Sequence, residues 1–587
     1  MKKDKREKAL VKLKNLFSEP FYSKVFAVIL ICFLGIIAYS NTFHSLFHYD
    51  DRANIVTNTA IRNLSNLKVI WNFWPTRFIT FVSFAFNYYL NGLNVFGYHA
   101  VNFVIHLAIA LLIFWFVNIT FRTPAMIKIN ISRSAPAIAL FSALIFLCHP
   151  IQTGSVTYIY QRSTCLAAFF YLLSLCLYIK SRLTIEEKKK GFKWLSLYIL
   201  TWVTCIIAMF TKENTITLPL MIILYEFCFF ERKKWSHVLS FLALLPIIPV
   251  TLYFSKTTDF GSLAKLVGNP ITGWHYFLTQ LRVIVTYLRL VFLPINQNFD
   301  YDYRISQSLI EPSVIMSLFI LLLILFTAVR FFQRYKLLSF SIFWFFLTLL
   351  PEASFVPLDD VILEHRLYLP MVGFSLVLSS GAFYILAEKK IKLIMLILPV
   401  IIACLAILTY NRNFIWKNEL SLWNDVIRKS PYKARAYNER GVVYTEEGDF
   451  ARAISDLNIA IQLNPKYAYA YVNRGNVYGA QGKLVNAESD YLKAIEVDPN
   501  YAGSYYNLGN IYGFKGHFDE AIKNYDLALK LNPRFAEAYN NRAHYYFLKK
   551  EYAKALKDIK RAQGFGYNVK STFLDALNNA ITKENKI

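Results

Sequence analysis

The chain has 587 residues, of which 56 % are hydrophobic and 17 % charged, and its mean hydropathy is +0.34. An ordinary soluble domain carries roughly 25 % charged residues, so a wholly soluble chain and a disordered one are both excluded. The net charge of +26 sits in short clusters between apolar runs, as membrane topology is written, and not on a nucleic-acid-binding face.

In chain order, residues 1–21 form a basic N-terminal segment and residues 22–410 a polytopic domain. A spanning helix needs about 20 apolar residues. Candidates are 22–40, 99–120, 164–180, 194–211, 214–230, 237–254, 313–329, 370–387 and 391–409, with 135–148 and 338–351 as shorter ones, eleven in all. Residues 78–91 are short and contain Asn87, and residues 276–293 carry Arg282 and Arg289, seven apart and so on one helical face. An isolated arginine in hydrocarbon is costly, so both segments are predicted to lie in the interface. With a cytoplasmic N-terminus and eleven spans, every basic cluster falls on the cytoplasmic side: Lys2 to Lys14, Arg122/Lys128/Arg133, Lys180 to Lys193, Arg232 to Lys234, Arg330/Arg334/Lys336 and Lys389/Lys390/Lys392. Residues 25–39 also read as a signal-peptide core with Ala38-Tyr39-Ser40 as a cleavage site. The uncleaved reading is preferred because the following loop is rich in candidate functional groups. The seven cysteines lie in or beside apolar runs without a CxxC, which argues against a disulfide framework or zinc site.

Residues 411–433 read as a linker. Beyond it, prolines recur at 431, 465, 499 and 533 and glycines at 441, 475 and 509, the tetratricopeptide period of 34. Four units are predicted at 434–467, 468–501, 502–535 and 536–569, with a capping helix and tail over 570–587. Ala543 and Lys550 replace glycines of the fourth unit. Asn473, Asn507 and Asn541 recur on one helical face. They are predicted to form a ladder that reads the backbone of an acceptor peptide, since an amide both donates and accepts; the alternative is that they tie neighbouring repeats together.

Five polar regions alternate with the spans on the side opposite the basic clusters. The first contains Asp50, Asp51 and Arg52, with Arg77 further on. Adjacent carboxylates at a membrane surface are expensive unless they act as a base, orient a hydroxyl or bind a cation. The second holds His149 and Arg162, and the third is Lys212-Glu213-Asn214, pressed between two spans. The fourth follows the Arg282/Arg289 helix and contains Asp300-Tyr301-Asp302, formally a DxD, so a divalent metal is admitted but not required. The fifth is Glu364-His365-Arg366. No phosphate-loop, HExxH or GxSxG motif occurs, which argues against ATP-driven transport, zinc proteolysis and serine hydrolysis.

Asp50-Asp51-Arg52 after the first span, Arg77-Phe78-Ile79-Thr80, Gly92 to His99, His149 to Thr153, Lys212-Glu213, Asp300 to Tyr303 and Arg366 to Pro370, in this order and followed by the repeats, resemble the transmembrane-and-tetratricopeptide O-mannosyltransferase family and its prokaryotic relatives. Phe78 departs from the pattern, since relatives often have proline there, and four repeats are fewer than many members carry. The resemblance implies an all-α GT-C-like membrane domain plus a repeat solenoid. It also implies sugar transfer from a polyprenyl-phosphate carrier to an acceptor outside the cytoplasm. By that analogy Asp50 and Asp51 are catalytic, with Asp51 slightly favoured. Arg282, Arg289, Arg366 and Lys212 are placed to bind the carrier phosphate, because a phosphate leaving group needs cationic stabilisation and arginine suits bidentate contact. Arg52, Arg77, His149, Arg162, Glu213, Asp300, Asp302, Glu364 and His365 are supporting candidates, with Glu213 expected to hold Lys212 or Arg366. A single displacement would invert the anomeric configuration. The expected partners are the lipid-linked donor, the membrane and a polypeptide in the repeat groove, and the expected setting is a bacterial inner membrane with periplasmic repeats. A membrane-anchored scaffold of an envelope complex, a lipid-linked glycan ligase and a transporter remain as alternatives.

Overall fold

The computed structural model describes residues 20–187, 191–255, 271–358 and 360–584. Residues 1–19 of the basic N-terminal segment, Lys188 to Lys190 and the side chains of Lys389, Lys390 and Lys392 lie outside this description. Among the described residues the chain is helical and free of strands. It divides into a unit ending at Leu422 and a second unit from Trp423 onward.

The first unit contains α1 (Pro20–Tyr39), α2 (Phe78–Asn91), α3 (Val95–Thr120), α4 (Ala135–Cys148), α5 (Arg162–Glu186), α6 (Phe192–Met209) and α7 (Leu218–Phe229). The apolar segment Trp235–Phe254 follows, then α8 (Gly273–Phe292), α9 (Pro312–Arg330), α10 (Lys336–Leu349) and α11 (Pro370–Asn413). Local chemistry marks the ends. Asn94 caps α3 by accepting from Phe96 N, Thr272 caps α8 by accepting from His275 N, and prolines open α9 and α11. Gly92 ends α2 at φ +58°, in the left-handed region that favours glycine.

Seven helices of the described chain are long and apolar enough to cross a membrane, and three shorter apolar ones accompany them. Two polar levels bound this apolar layer. At one, Arg182 pairs with Glu226 at 2.9 Å, Tyr225 Oη donates to Thr120 at 2.9 Å, and Arg182 reaches the Arg232 carbonyl. This basic face gathers the clusters around residues 122, 182, 232 and 334. At the other level lie the loops that carry the candidate site residues.

Helix α11 is hydrogen-bonded as one 44-residue run, which would be about 66 Å long if straight. Its ends nevertheless return to one level. Tyr368, just before it, binds His106, which also binds the Leu147 carbonyl, while Thr409 near its end donates to Cys148 O. The run therefore doubles back, with Pro370–Ile385 and Leu393–Trp416 as its two apolar arms.

Helices α2 and α8 stay on the site face, as their sequences predict. Along α8, Tyr276 donates to Glu352 O, Gln280 to Val361 O and Tyr287 to Leu363 O, and His149 contacts Val291 O. All four partners belong to site-face loops, so both ends of α8 lie at that level. The backbone of Ile79 and the hydroxyl of Thr80 tie α2 to Phe210 and Thr211 in the same way.

In the second unit, paired helices follow the predicted period, from Ala434–Glu446 with Phe450–Leu463 to Ala536–Leu548 with Tyr552–Gly564, and Ser571–Glu584 follows. Glycine at 475 is required by close packing, since a Cβ there would lie 2.7 Å from the Tyr491 ring. The turns use glycine at φ +73° to +80° at 448, 482 and 516, and Lys550 takes the same turn at φ +64°.

Two outcomes follow. In a cysteine-free background, Trp274→Cys and Phe292→Cys, at opposite ends of α8, will both react with an impermeant maleimide from one side of the membrane; opposite-side labelling would show that α8 spans. Lys550→Gly will stabilise the repeats by about 0.5–1 kcal/mol and so raise their unfolding midpoint, because a left-handed non-glycine residue costs about 1 kcal/mol or more; an unchanged midpoint in thermal melts would contradict this.

Candidate functional site

The site face is assembled from both ends of the first unit. The chain turns sharply at Tyr49, at φ +41°, and returns the Asp51 carboxylate to His48. Asp51 Oδ2 accepts from His48 N at 2.8 Å and Oδ1 from Tyr160 N at 2.7 Å, and the side chain is wholly buried. Burial outweighs these two bonds and, with Asp50 and Glu419 nearby, pushes the Asp51 carboxyl well above its usual range. Asp51 is therefore occupied as a brace between two loops. Asp50 is half-buried, its N–H donates to Tyr158 Oη at 3.1 Å, and its carboxylate also engages that hydroxyl. Of the paired aspartates, Asp50 is the more accessible, against the slight sequence preference for Asp51. Residues Arg52–Val56 continue as a single π-helical turn, a rare geometry that recurs at functional sites.

Arg52 serves the same bracing. Its Nη2 lies 2.5 Å from Glu419 Oε2, and Tyr49 N donates to Glu419 Oε1. His48 Nε2 contacts Trp416 O at 2.7 Å, and Trp416 stacks on Tyr158 at 18° between ring planes. Residues 413–419, at the end of the last apolar arm and just beyond it, are thus part of the aspartate loop's support.

Tyr160 joins this loop to a second group. Arg77 Nη1 donates to Tyr160 Oη at 3.0 Å, while its Nε and Nη2 clasp Glu213 at 3.1–3.3 Å. Thr76 Oγ1 donates to the same carboxylate at 2.7 Å. Burial raises the Glu213 pKa, but Arg77 and Thr76 more than compensate and hold it at about 2. Glu213 therefore holds Arg77, and not Lys212 or Arg366 as expected. The carboxylate beside Lys212 is Glu352, at 3.1 Å, and Lys212 also donates to Thr164 Oγ1 at 3.0 Å. Arg366 is buried and bonds neutral groups: the Val361 and Asp360 carbonyls at 3.1 and 2.6 Å and Tyr276 Oη at 3.5 Å. Burial first, then the charges of Lys212, Arg366 and Arg77, push the His365 imidazole well below its usual range and keep it neutral. All three cations therefore lie around His365.

The four predicted phosphate-binding residues do not form one set. Lys212 and Arg366 belong to the group just described. Arg282 donates to Arg304 O and Ser306 Oγ and lies over Tyr303 at 5.2 Å, and Arg289 donates to Ile295 O. This second pair faces the other side of α8, because a helix so closely packed cannot present Gln280 and Arg282 to the same neighbours.

Other candidates are structural in their contacts. Arg162 is fully buried and donates to Asn102 Oδ1, Ser83 O and Tyr98 O, which locks α2 to α3. His149 has both ring nitrogens engaged, one with Val291 O and one with Ile151 N. Glu364 accepts from Asn298 N and Tyr301 Oη, both at 2.6 Å, and so ties down the loop bearing the DxD. Within that DxD, Asp300 is buried and Asp302 exposed. Among the described residues no three His, Cys, Asp or Glu side chains converge at the DxD.

In the repeats the asparagines are engaged along the stack. Asn473 donates to Asn438, Asn507 to Asn476, and Asn541 to Asn510, at 2.9–3.1 Å. They are ladder rungs between repeats, which departs from the open peptide-reading surface expected of them. Arg440, Arg474 and Arg542 each clasp an aspartate sixteen residues on, at 456, 490 and 558. The 34-residue recurrence of these pairs was available in the sequence; Leu508 breaks it in the third unit. Glu352 and Glu419 carry no such signal, because neither belongs to a repeated motif.

A tetratricopeptide-repeat family model matches residues 468–501 and 502–535, and a second TPR-repeat model matches residues 441–482. The chain is 24 % identical over 497 residues to Drosophila melanogaster protein O-mannosyl-transferase Tmtc3, covering 72 % of this chain and 54 % of that protein. It is 24 % identical over 453 residues to Caenorhabditis elegans protein O-mannosyl-transferase F38B6.6, covering 72 % and 60 %. Human protein O-mannosyl-transferase TMTC3 is 23 % identical over 467 residues, with 71 % and 49 % covered. These are members of the family that the sequence motifs resemble, and the chain spans about half to three-fifths of their length.

Cutting one member of the Arg77–Glu213 pair strands the other. Glu213→Gln or Arg77→Met will cost about 3 kcal/mol each in thermal unfolding of the detergent-solubilised chain, the lower end for broken buried pairs, and the double variant will cost less than their sum. The lowered Glu213 pKa means that its stabilisation is complete above about pH 4.5 and lost as pH falls toward 2. Strict additivity of the two costs would contradict the pairing.

Proposed function

We propose that this chain is an integral-membrane glycosyltransferase that moves a sugar from a polyprenyl-phosphate carrier to hydroxyl groups of polypeptides outside the cytoplasm. The observation that carries the reading is the joining, on one face, of an accessible aspartate to a cationic group: Asp50 at Tyr158, then Tyr160, Arg77 and the Lys212/Arg366 surroundings of His365. The relatives' names, protein O-mannosyl-transferases, point the same way.

Asp50 takes or orients the proton of the acceptor hydroxyl. The acceptor oxygen bonds to the anomeric carbon as the bond from that carbon to the phosphate oxygen breaks, and the configuration inverts. The phosphate departs with the bonding electrons toward Arg366, the buried guanidinium that bonds the Val361 and Asp360 carbonyls and Tyr276 Oη. Lys212 and Arg77, neutralised by Glu352 and Glu213, hold the surrounding loops in place. Asp51 positions Asp50 through the loop, and the repeats present the polypeptide. In a bacterial inner membrane the basic face would be cytoplasmic and the repeats periplasmic.

Incubation of the reconstituted protein with polyprenyl-phosphate sugars and an acceptor polypeptide tests this. Asp50→Asn will lower transfer by 10²-fold or more, the scale of lost general-base catalysis, while leaving the thermal midpoint near the parent's. Asp51→Asn will lower the midpoint as well as the rate. Undiminished transfer in a folded Asp50→Asn protein removes the assignment, and transfer to glycans alone would make the enzyme a glycan ligase.

A further inference from the structure

We propose that Tyr158 is the positioning residue for Asp50: its one hydroxyl accepts from the Asp50 N–H and donates to the Asp50 carboxylate, while rings from two distant loops hold the phenol still. This rests on the assignment of Asp50 to the acceptor hydroxyl given above. Tyr158 Oη accepts from Asp50 N at 3.1 Å and is also hydrogen-bonded to the Asp50 side chain. A hydroxyl has one proton to give and two lone pairs, so it serves both ends of the same residue at once. The carboxylate is thereby tied back to its own backbone, which restricts the directions it can face.

The phenol is itself fixed. Tyr158 is buried, its ring lies 5.7 Å from Trp416 at 18°, and the Phe299 ring meets it at 5.7 Å and 81°. Phe299 and Trp416 close the group at 5.6 Å and 87°, within the spacing that aromatic pairs favour. Each outer ring is anchored in turn. The Trp416 carbonyl contacts His48, and on either side of Phe299 both Asn298 N and Tyr301 Oη donate to Glu364 at 2.6 Å. Through Phe299, the loop of Asp300-Tyr301-Asp302 therefore reaches Asp50. A phenylalanine at 158 would pack the same rings. The hydroxyl is what the packing does not require, and a buried hydroxyl is costly unless it is bonded; its partner is Asp50.

Other ionisable groups surround the aspartate. They are the carboxylates of Asp51 and Glu419, the guanidinium of Arg52 clasped by Glu419, the phenol of Tyr160, and the imidazole of His48, which burial holds at about 4 and so neutral. Beyond Phe299 lies the buried Asp300. Among them the Tyr158 proton favours the ionised carboxylate, because a donor to the charged form stabilises it. Removing that proton moves the titration of Asp50 to higher pH, and a base works only when ionised.

The full-length reconstituted protein, with a polyprenyl-phosphate sugar and an acceptor polypeptide, provides the test. Tyr158→Phe will lower kcat by about tenfold or more, leave the carrier KM unchanged and move the acid limb of kcat/KM to higher pH. In an Asp50→Asn background it will cost nothing further, since residues that act as a unit are not additive. Phe299→Leu keeps the hydroxyl and loosens its seat. It will lower kcat by a smaller factor and add nothing once the hydroxyl is gone. A packing role alone would lower the thermal midpoint and leave the acid limb in place. Parental kcat and limb in a folded Tyr158→Phe protein overturn the proposal, as do losses that multiply with Asp50→Asn; if Asp50→Asn is itself inactive, the transferase stands. In a chain that never transfers sugar, amidation of Asp50 by a carbodiimide and an amine, read by mass spectrometry, decides alone. The reagent takes the protonated carboxyl, so Tyr158→Phe will extend labelling to higher pH. That result keeps Tyr158 and removes the enzyme, whereas coincident labelling curves remove Tyr158.

Discussion

A charge held at the margin of hydrocarbon must be answered from within the protein, and the site face is arranged by how each charge is answered. Leaving a buried ion unpaired costs several kcal/mol. Arg182 on the basic face is met by Glu226, with Tyr178 donating to the same carboxylate at 2.8 Å. On the site face Arg77 is met by Glu213 and Lys212 by Glu352. These pairs carry little net charge and act as fixed struts. Arg162 and Arg366 bond carbonyls, an amide and a hydroxyl, and the charges of Glu352 and Asp360 also act on Arg366. Arg162 is enclosed by Phe84 and Tyr98, whereas Arg366 adjoins His365 beside Lys212.

The same constraint explains why the two chain ends of the membrane unit are sewn together. The aspartate loop hangs from α1, whose last turn is bound through Ala38 O to Asn413. Its polar groups then find partners on residues 413–419: His48 with Trp416, Arg52 and Tyr49 with Glu419. Neither segment could bury these groups alone. Loop geometry at Asp50 consequently depends on residues more than 360 positions away, and the membrane unit ends, at Leu422, on the face that carries Asp50.

Much of this was legible in the sequence because it is written in local periodicity. The 34-residue repeat, the lateral placement of α8, argued from Arg282 and Arg289, and ten of the eleven predicted apolar segments follow from spacing and transfer cost, whereas predicted span 214–230 forms only a 12-residue helix, Leu218–Phe229. Pairing was not legible, because it is decided by which loops the bundle brings together. Glu213 was expected at Lys212, its neighbour in sequence, but adjacent residues diverge in direction and Lys212 found Glu352 across 140 positions. Arg282 and Arg366 are alike in type yet separated by the body of α8. The asparagines kept their predicted register, and the surface they serve is the inter-repeat one, since an amide close to the next helix bonds there before it can meet a ligand.

Asp50 and Asp51 show how neighbours with the same side chain come to different chemistry. The left-handed turn at Tyr49 places a bulky residue where its backbone is strained, and such strain persists only where the surroundings over-determine it. Here the determinants are the N–H group of His48 in its own loop and that of Tyr160, 109 positions from Asp51, which its carboxylate gathers. Once Asp51 is drawn inward to satisfy them, the next side chain back is directed away and toward Tyr158. A carboxylate saturated by backbone donors and shut off from water is a poor base, because it can reach no acceptor. The buried aspartate thus makes its neighbour the accessible one, and the strain at Tyr49 is the cost of holding that difference in place.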